Sequence, residues 1–250
     1  MVMHRMASIA PVGLPDHKFT LGFCGWKSLI AQPHLLSFSG AIFTLTLLAV
    51  GSFDGLNETF WWLQQIGINP LEFPGRSAVV TETVTGLLLS VLALTVCFAA
   101  CVYGGVQLAN RVSATSISFF NAFTALSVAI LPIALAYHVA HYLTAFMVNI
   151  QYTVAAMTDP LQNGRDLLGL GRFYVTTGFF NTQSSVRTIW LSQAGAVVFG
   201  HVVSILLSHR IAQRLWPGPR AATLSQAPIA AFMVLYTFLG LWLLAAPRGA

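Results

Sequence analysis

Charge is what this sequence has least of. Only 8% of its 250 residues are Asp, Glu, Lys or Arg, and only seven are acidic. A soluble domain carries about 25% charged residues. With 56% hydrophobic residues and a mean hydropathy of +0.74, a water-soluble globular fold is excluded. Disorder is excluded as well, since it requires low hydrophobicity and high charge. The net charge of +5 comes from basic residues scattered between apolar runs. That pattern fits cytoplasmic membrane flanks, not a phosphate-tracking surface, so nucleic acid is not an expected partner.

Several chemical signatures are missing too. Cys24, Cys97 and Cys101 form no CxxC pair, and Cys97 and Cys101 read as small core residues. Without CxxCH there is no covalent c-type haem. Without a GxSxG elbow, serine-hydrolase chemistry has no support. Gly169-Leu170-Gly171 lacks the Walker lysine and the strand-then-helix context of a phosphate loop. The first 30 residues have no apolar h-region of a signal peptide. No internal repeat or low-complexity tract is visible.

What is present is long uncharged stretches. Residues 28–53, 83–110, 112–158, 188–209 and 221–247 contain no Asp, Glu, Lys or Arg. A membrane-spanning helix needs roughly 20 apolar residues. The sequence therefore predicts an all-α, polytopic transmembrane helix bundle with helices near 35–53, 84–108, 120–148, 189–208 and 227–246. The third window is long enough for two spans. Its centre, Val128 to Ala136, holds no polar turn, and an unpaired turn in lipid is costly. One long helix, kinked at Pro132, is expected there. Residues 1–34 form a separate cytoplasmic or interfacial segment, and 35–250 the transmembrane domain.

Loop charges orient the chain. Arg5, Lys18 and Lys27, then Arg111, then Arg210, Arg214 and Arg220 fall on alternate loops, while Asp54, Glu58, Glu72 and Glu82 share one intervening loop. The positive-inside rule puts the N-terminus inside and the C-terminus outside.

Ionisable residues within spans are expensive and mark functional sites. His138 and His141, three apart, project from neighbouring positions on one face of the third helix. His201, beside Gly200, lies at similar depth on the fourth. Three readings of this trio stand side by side. It suits a divalent transition metal (zinc, copper or iron). Two of its histidines can ligate haem b axially. Or the histidines bond helices together as polar glue. His209 reads as an ordinary interface residue. Glu82, at the start of the second helix, is favoured there by the helix dipole, with Thr81 positioned to cap; its alternative role is a ligand or base facing the histidines. Asp54 stands at the end of the first helix, where an acid opposes the dipole and needs another reason to be present. Asp54 and Glu82 are thus the candidate catalytic carboxylates.

Gly51-Ser52-Phe53-Asp54-Gly55 followed by Trp61-Trp62, and above all Ala136-Tyr137-His138-Val139-Ala140-His141-Tyr142, resemble a bacterial membrane-protein family labelled fenitrothion hydrolase. Asp159-Pro160 with Gly164-Arg165-Asp166-Leu167, and Gly200-His201 with His209, extend the resemblance over residues 38–212. The resemblance implies hydrolysis of an organophosphorus ester in a bacterial inner membrane. Longer relatives carry further N-terminal membrane helices, which implies that a second integral-membrane subunit completes this chain. A metal on His138, His141 and His201 would polarise water, Asp54 or Glu82 would act as ligand or base, and a small apolar substrate would enter from the lipid bilayer. The alternatives are a haem- or copper-binding redox subunit and a non-catalytic assembly or transport subunit.

Overall fold

The computed structural model describes residues 36–72, 75–171 and 174–248. The expected N-terminal segment 1–34, with Cys24, lies outside the described residues.

The described chain is all-α, and five of its helical segments are long and apolar enough to cross a membrane. Helix α1 spans Phe38–Asn57, starting at Ser37, whose Oγ accepts the Gly40 N–H. The short α2, Phe60–Gln65, is capped by buried Thr59, which accepts from the Trp62 N–H. Helix α3 spans Val80–Val112. Its N-cap is Val79, without a side-chain bond, so the capping expected of Thr81 is not found. The next span contains α4, Phe119–Leu126, a 3₁₀ turn over Ser127–Ile130, and α5, Leu131–Thr158. Helix α6 spans Gln183–Leu215 and α7 spans Pro219–Ala245.

The break in the third span sits upstream of its proline. Pro132 has no N–H for the carbonyl four residues back. The chain tightens into the 3₁₀ turn before it, and Pro132 opens α5 in a first-turn position. All four residues of the 3₁₀ turn are buried. Irregular backbone at this depth is thus enclosed by protein, as the lipid interior demands.

The spans form a closed ring of neighbours in which α1 packs on α3, α3 on α7, α7 on α6, α6 on α5 and α5 on α1. Small residues set these approaches. A methyl on Gly105 of α3 would collide with the Ser225 carbonyl oxygen of α7. One on Gly200 of α6 would run into the Ala136 Cβ and lie 2.9 Å from the Pro132 carbonyl oxygen of α5. One on Gly86 of α3 would meet Phe53 of α1 and Trp62 of α2. Without a hydrophobic driving force between helices in lipid, such close backbone approach is what holds a bundle together.

Polar clamps close both ends of the bundle. At one end, Asn110 donates to the Ile117 carbonyl and accepts from both the Ile117 N–H and the fully buried Trp216 indole. At the other, Thr59 and Arg248 pair as an isolated antiparallel bridge, and the Phe60 N–H reaches the Pro247 carbonyl.

Candidate functional site

Two polar groups occupy the bundle. The first lies where the last turns of α1 face α5. Gly51 and Gly55, four apart on α1, leave room for the histidines of α5. A methyl on Gly51 would lie 3.1 Å from His138 Cε1, and one on Gly55 would lie 3.9 Å from His141 Nδ1. Between these glycines Asp54 projects toward α5, where its Oδ2 accepts the Tyr142 hydroxyl at 2.8 Å. One helical turn on, Glu58 meets the Arg248 guanidinium at 3.7 Å, and Arg248 also donates to the Leu243 carbonyl. His141 lies within electrostatic reach of Glu58, Asp54, Arg248 and His138. This answers the question Asp54 raised: a carboxylate unfavourable at a helix C-terminus is held there by a hydroxyl from the facing helix.

The second group sits at the bundle axis. His201 is 3% exposed. Its ring packs 6.2 Å from Tyr137 and 6.4 Å from Tyr236, centroid to centroid. Tyr137 donates to the Tyr236 carbonyl at 2.9 Å, and its hydroxyl fills the space beside Gly240 where a side chain would stand. The Tyr236 hydroxyl lies 2.6 Å from Ser52 Oγ. Ser52 and Tyr137 stand in the sequence only as members of the motifs around Asp54 and His138, and Tyr236 carries no charge or motif that marks it. Their spacing around one axis arises only from the ring of helices.

Two of the three histidines, His138 and His201, share one feature. His138 Nδ1 lies 2.8 Å from the Ala134 carbonyl, and His201 Nδ1 lies 2.8 Å from the Val197 carbonyl. A carbonyl only accepts, so each Nδ1 carries a proton, and the neutral form of each ring has its lone pair on Nε2. His201 Nε2 is buried without a hydrogen-bond partner, as is Ser204 Oγ one turn away.

The five residues singled out in the sequence therefore fall in three places. His138, His141 and Asp54 come together at the α1–α5 contact. His201 belongs to the axial group with Tyr137 and Tyr236. Glu82 is exposed in the first turn of α3, the favourable end of the helix dipole, and no described hydrogen bond joins it to the histidines. Among the described residues, no group of three or more His, Cys, Asp or Glu side chains is placed to hold a metal ion. His138, His141 and His201 therefore do not form one shared ligand set among the described residues. His209, at the far end of α6, bonds Gln213 and Gln226 in an exposed position, as an interface residue would.

Beyond the site, α5 continues for 17 residues past His141 to Thr158, about 25 Å at 1.5 Å per residue. The following loop is ordered by two aspartates. Asp159 accepts from the Asn163 and Gly164 N–H groups, and Asp166 from those of Leu170 and Gly171. Gly164, Gly169 and Gly171 take positive φ in these turns. Both carboxylates serve the loop backbone.

No protein-family model matches this sequence, and no curated protein or solved structure matches it either.

Proposed function

We propose that this chain is a multi-pass subunit of a bacterial inner-membrane hydrolase that cleaves a neutral, lipid-soluble ester of the phosphotriester type. The proposal rests on the resemblance to the fenitrothion hydrolase family together with one observation: His141 lies within electrostatic reach of Glu58 and Asp54, and Tyr142 donates its hydroxyl proton to Asp54.

In this mechanism His141 is the general base. It takes a proton from water as the water oxygen attacks phosphorus, and the imidazolium returns that proton to the departing alkoxide or phenoxide. Asp54 stabilises the imidazolium, and Tyr142 holds Asp54 in position for this. Arg248 pairs with Glu58, which leaves Asp54 as the carboxylate that offsets the imidazolium charge. His138, with its Nε2 lone pair, lies on the same helix one turn earlier and lines the approach. Glu82 has no part in this chemistry. A transition metal, where one is used, would need ligands beyond this chain's described residues, and the proposed second membrane subunit is their source. The basic loops at Arg111 and Arg210–Arg220 face the cytoplasm in this reading, so the site opens on the outer side.

The test is turnover of paraoxon and fenitrothion by membranes containing the chain with its co-purifying partner. His141→Ala is expected to lower the rate by about a hundredfold or more, the usual scale of acid–base catalysis. Unchanged turnover in a folded His141→Ala protein, or no turnover by the wild type, overturns the proposal.

A second reading is favoured by His201. A buried imidazole with a carbonyl-bound Nδ1–H and a bare Nε2 is the usual form of a haem or copper ligand. A Soret band or copper signal from purified protein, lost in His201→Leu, would establish a redox subunit instead.

A further inference from the structure

Charged side chains at the histidine end of the bundle gather at one level. Asp54 meets Tyr142 of α5, and Glu58 meets Arg248 one turn beyond. Helix α6 runs antiparallel to α5, with Gly200 beside Pro132 and Gln193 donating to the Ala140 carbonyl. Arg187, six residues outward of Gln193, is therefore level with Phe146. Such charges mark where the apolar interior of a bilayer ends. Helix α5 nevertheless continues past Phe146 to Thr158, about 18 Å at 1.5 Å per residue. It carries no charged residue on the way. Of the residues in this extension only Thr158 is buried, and in the facing part of α6, residues 183–192, none is. The two helices thus project past the charged level as a hairpin without a core of its own.

Phe146, Ile150, Thr153 and Met157 are exposed on this extension at steps of four, three and four. That is the spacing of a seam that seats a second helix. The stripe begins lower on α5 with the exposed Leu135 and Val139, where lipid can cover it; past the charged level only protein can. With Leu161 and Leu167 of the adjoining loop, both more than half exposed, the uncovered apolar area is on the order of 800 Å², one partner's share of a stable interface. A monomer rarely leaves so large a patch open.

We infer that this stripe is the contact between two copies of the chain, with α5 lying parallel to α5 and the two hairpins forming a four-helix cluster beyond the membrane. Two copies inserted the same way in one membrane are related by an axis along the membrane normal, so each seam residue meets its own counterpart. A charge on the seam would then face a like charge. Residues 112–158 contain no Asp, Glu, Lys or Arg, which is what a self-facing helix requires. Four helices are also the usual way in which two-helix hairpins acquire a shared core. The inference does not depend on the hydrolytic reading.

The experiment is disulfide trapping of the full chain in membranes, with copper phenanthroline as oxidant. Ile150→Cys is expected to give a species of twice the chain mass that thiol reverses. Ala155→Cys, five residues on and turned away from the seam, is expected to give far less. Native Cys97, exposed on α3, sets the background in the wild type. A second arm follows energy transfer between donor- and acceptor-labelled chains as liposome lipid dilutes them. Met157→Arg sets like charges face to face and is expected to shift the dissociation midpoint by at least about tenfold toward the monomer. Ile150, Ala155 and Met157 all lie outside the buried core, so the variants are expected to fold. Trapping of Ile150→Cys to a different membrane protein, no trapping above background, or equal trapping at both positions overturns the inference. So does a wild type without energy transfer, or an unmoved midpoint in Met157→Arg.

Discussion

The Tyr142 hydroxyl donates to Asp54 Oδ2 across the α1–α5 contact, 88 residues apart in sequence and 2.8 Å apart in space. This bond ties the one carboxylate within the last turn of α1 to the helix that carries His138 and His141. Its removal separates a positioning role from a structural one. Tyr142 is 46% exposed, so Tyr142→Phe should cost only about 1 kcal/mol of stability, below the usual range for a bond to a charged group. Turnover should fall by about tenfold or more if Asp54 must be held beside His141. Thermal unfolding in detergent and turnover, measured on the same preparation, check both halves.

Gly200 is predicted to be irreplaceable for packing. Its missing side chain admits Ala136 and the Pro132 carbonyl of α5. Gly200→Ala forces α5 and α6 apart and should destabilise by about 1–3 kcal/mol, the range for overpacking. Gly195 lies on the same helix with open space around it. Gly195→Ala should be neutral or stabilising by up to about 1 kcal/mol, as for any uncrowded helical glycine. Opposite shifts in unfolding temperature for the two variants are the expected result.

Asn110 is predicted to anchor the end of the bundle opposite the histidine cluster. Asn110→Ala strands the indole N–H of Trp216 and both backbone groups of Ile117. The expected loss is about 2–4 kcal/mol, that of several hydrogen bonds with a buried donor left unpaired. Asn110→Asp keeps the acceptor for Trp216 and the Ile117 N–H and loses only the donor, so its unfolding temperature should fall less.

His201→Leu distinguishes the two functional readings through stability. Where His201 Nε2 has no ligand, an apolar side chain of similar size should leave the protein equally stable or raise its stability by about 1 kcal/mol, since a buried unpartnered polar atom is a cost. A marked loss of stability together with a loss of visible absorption would show instead that the nitrogen holds a cofactor.

How much of this was legible beforehand follows from what lipid forbids. Uncharged windows located all five spans, because a charged side chain at the bilayer centre is expensive. The helix ends were underestimated for the same reason. Arg187 and Arg214 lie within α6, and Glu82 within α3, since helices continue past the apolar core to where charges are welcome. The single third span was foreseen, but its irregularity was expected at Pro132 itself and lies in the four residues before it. The pairing of His138 with His141 on one helix was readable from their spacing. Their grouping with Asp54, and the separation of His201 into a different group, depend on which helices are neighbours. The Ser52–Tyr236 pair was hidden more deeply, since hydroxyl side chains barely register in a hydropathy scan.

The most direct test of the hydrolytic site is a double-mutant cycle on turnover, with Asp54→Asn, His141→Ala and the two combined, assayed with paraoxon in the membrane complex. Residues that act as one unit are strongly non-additive. The double variant should therefore be about as slow as His141→Ala alone. Multiplying losses would show that Asp54 and His141 act independently, and turnover untouched by either substitution would place the chemistry elsewhere.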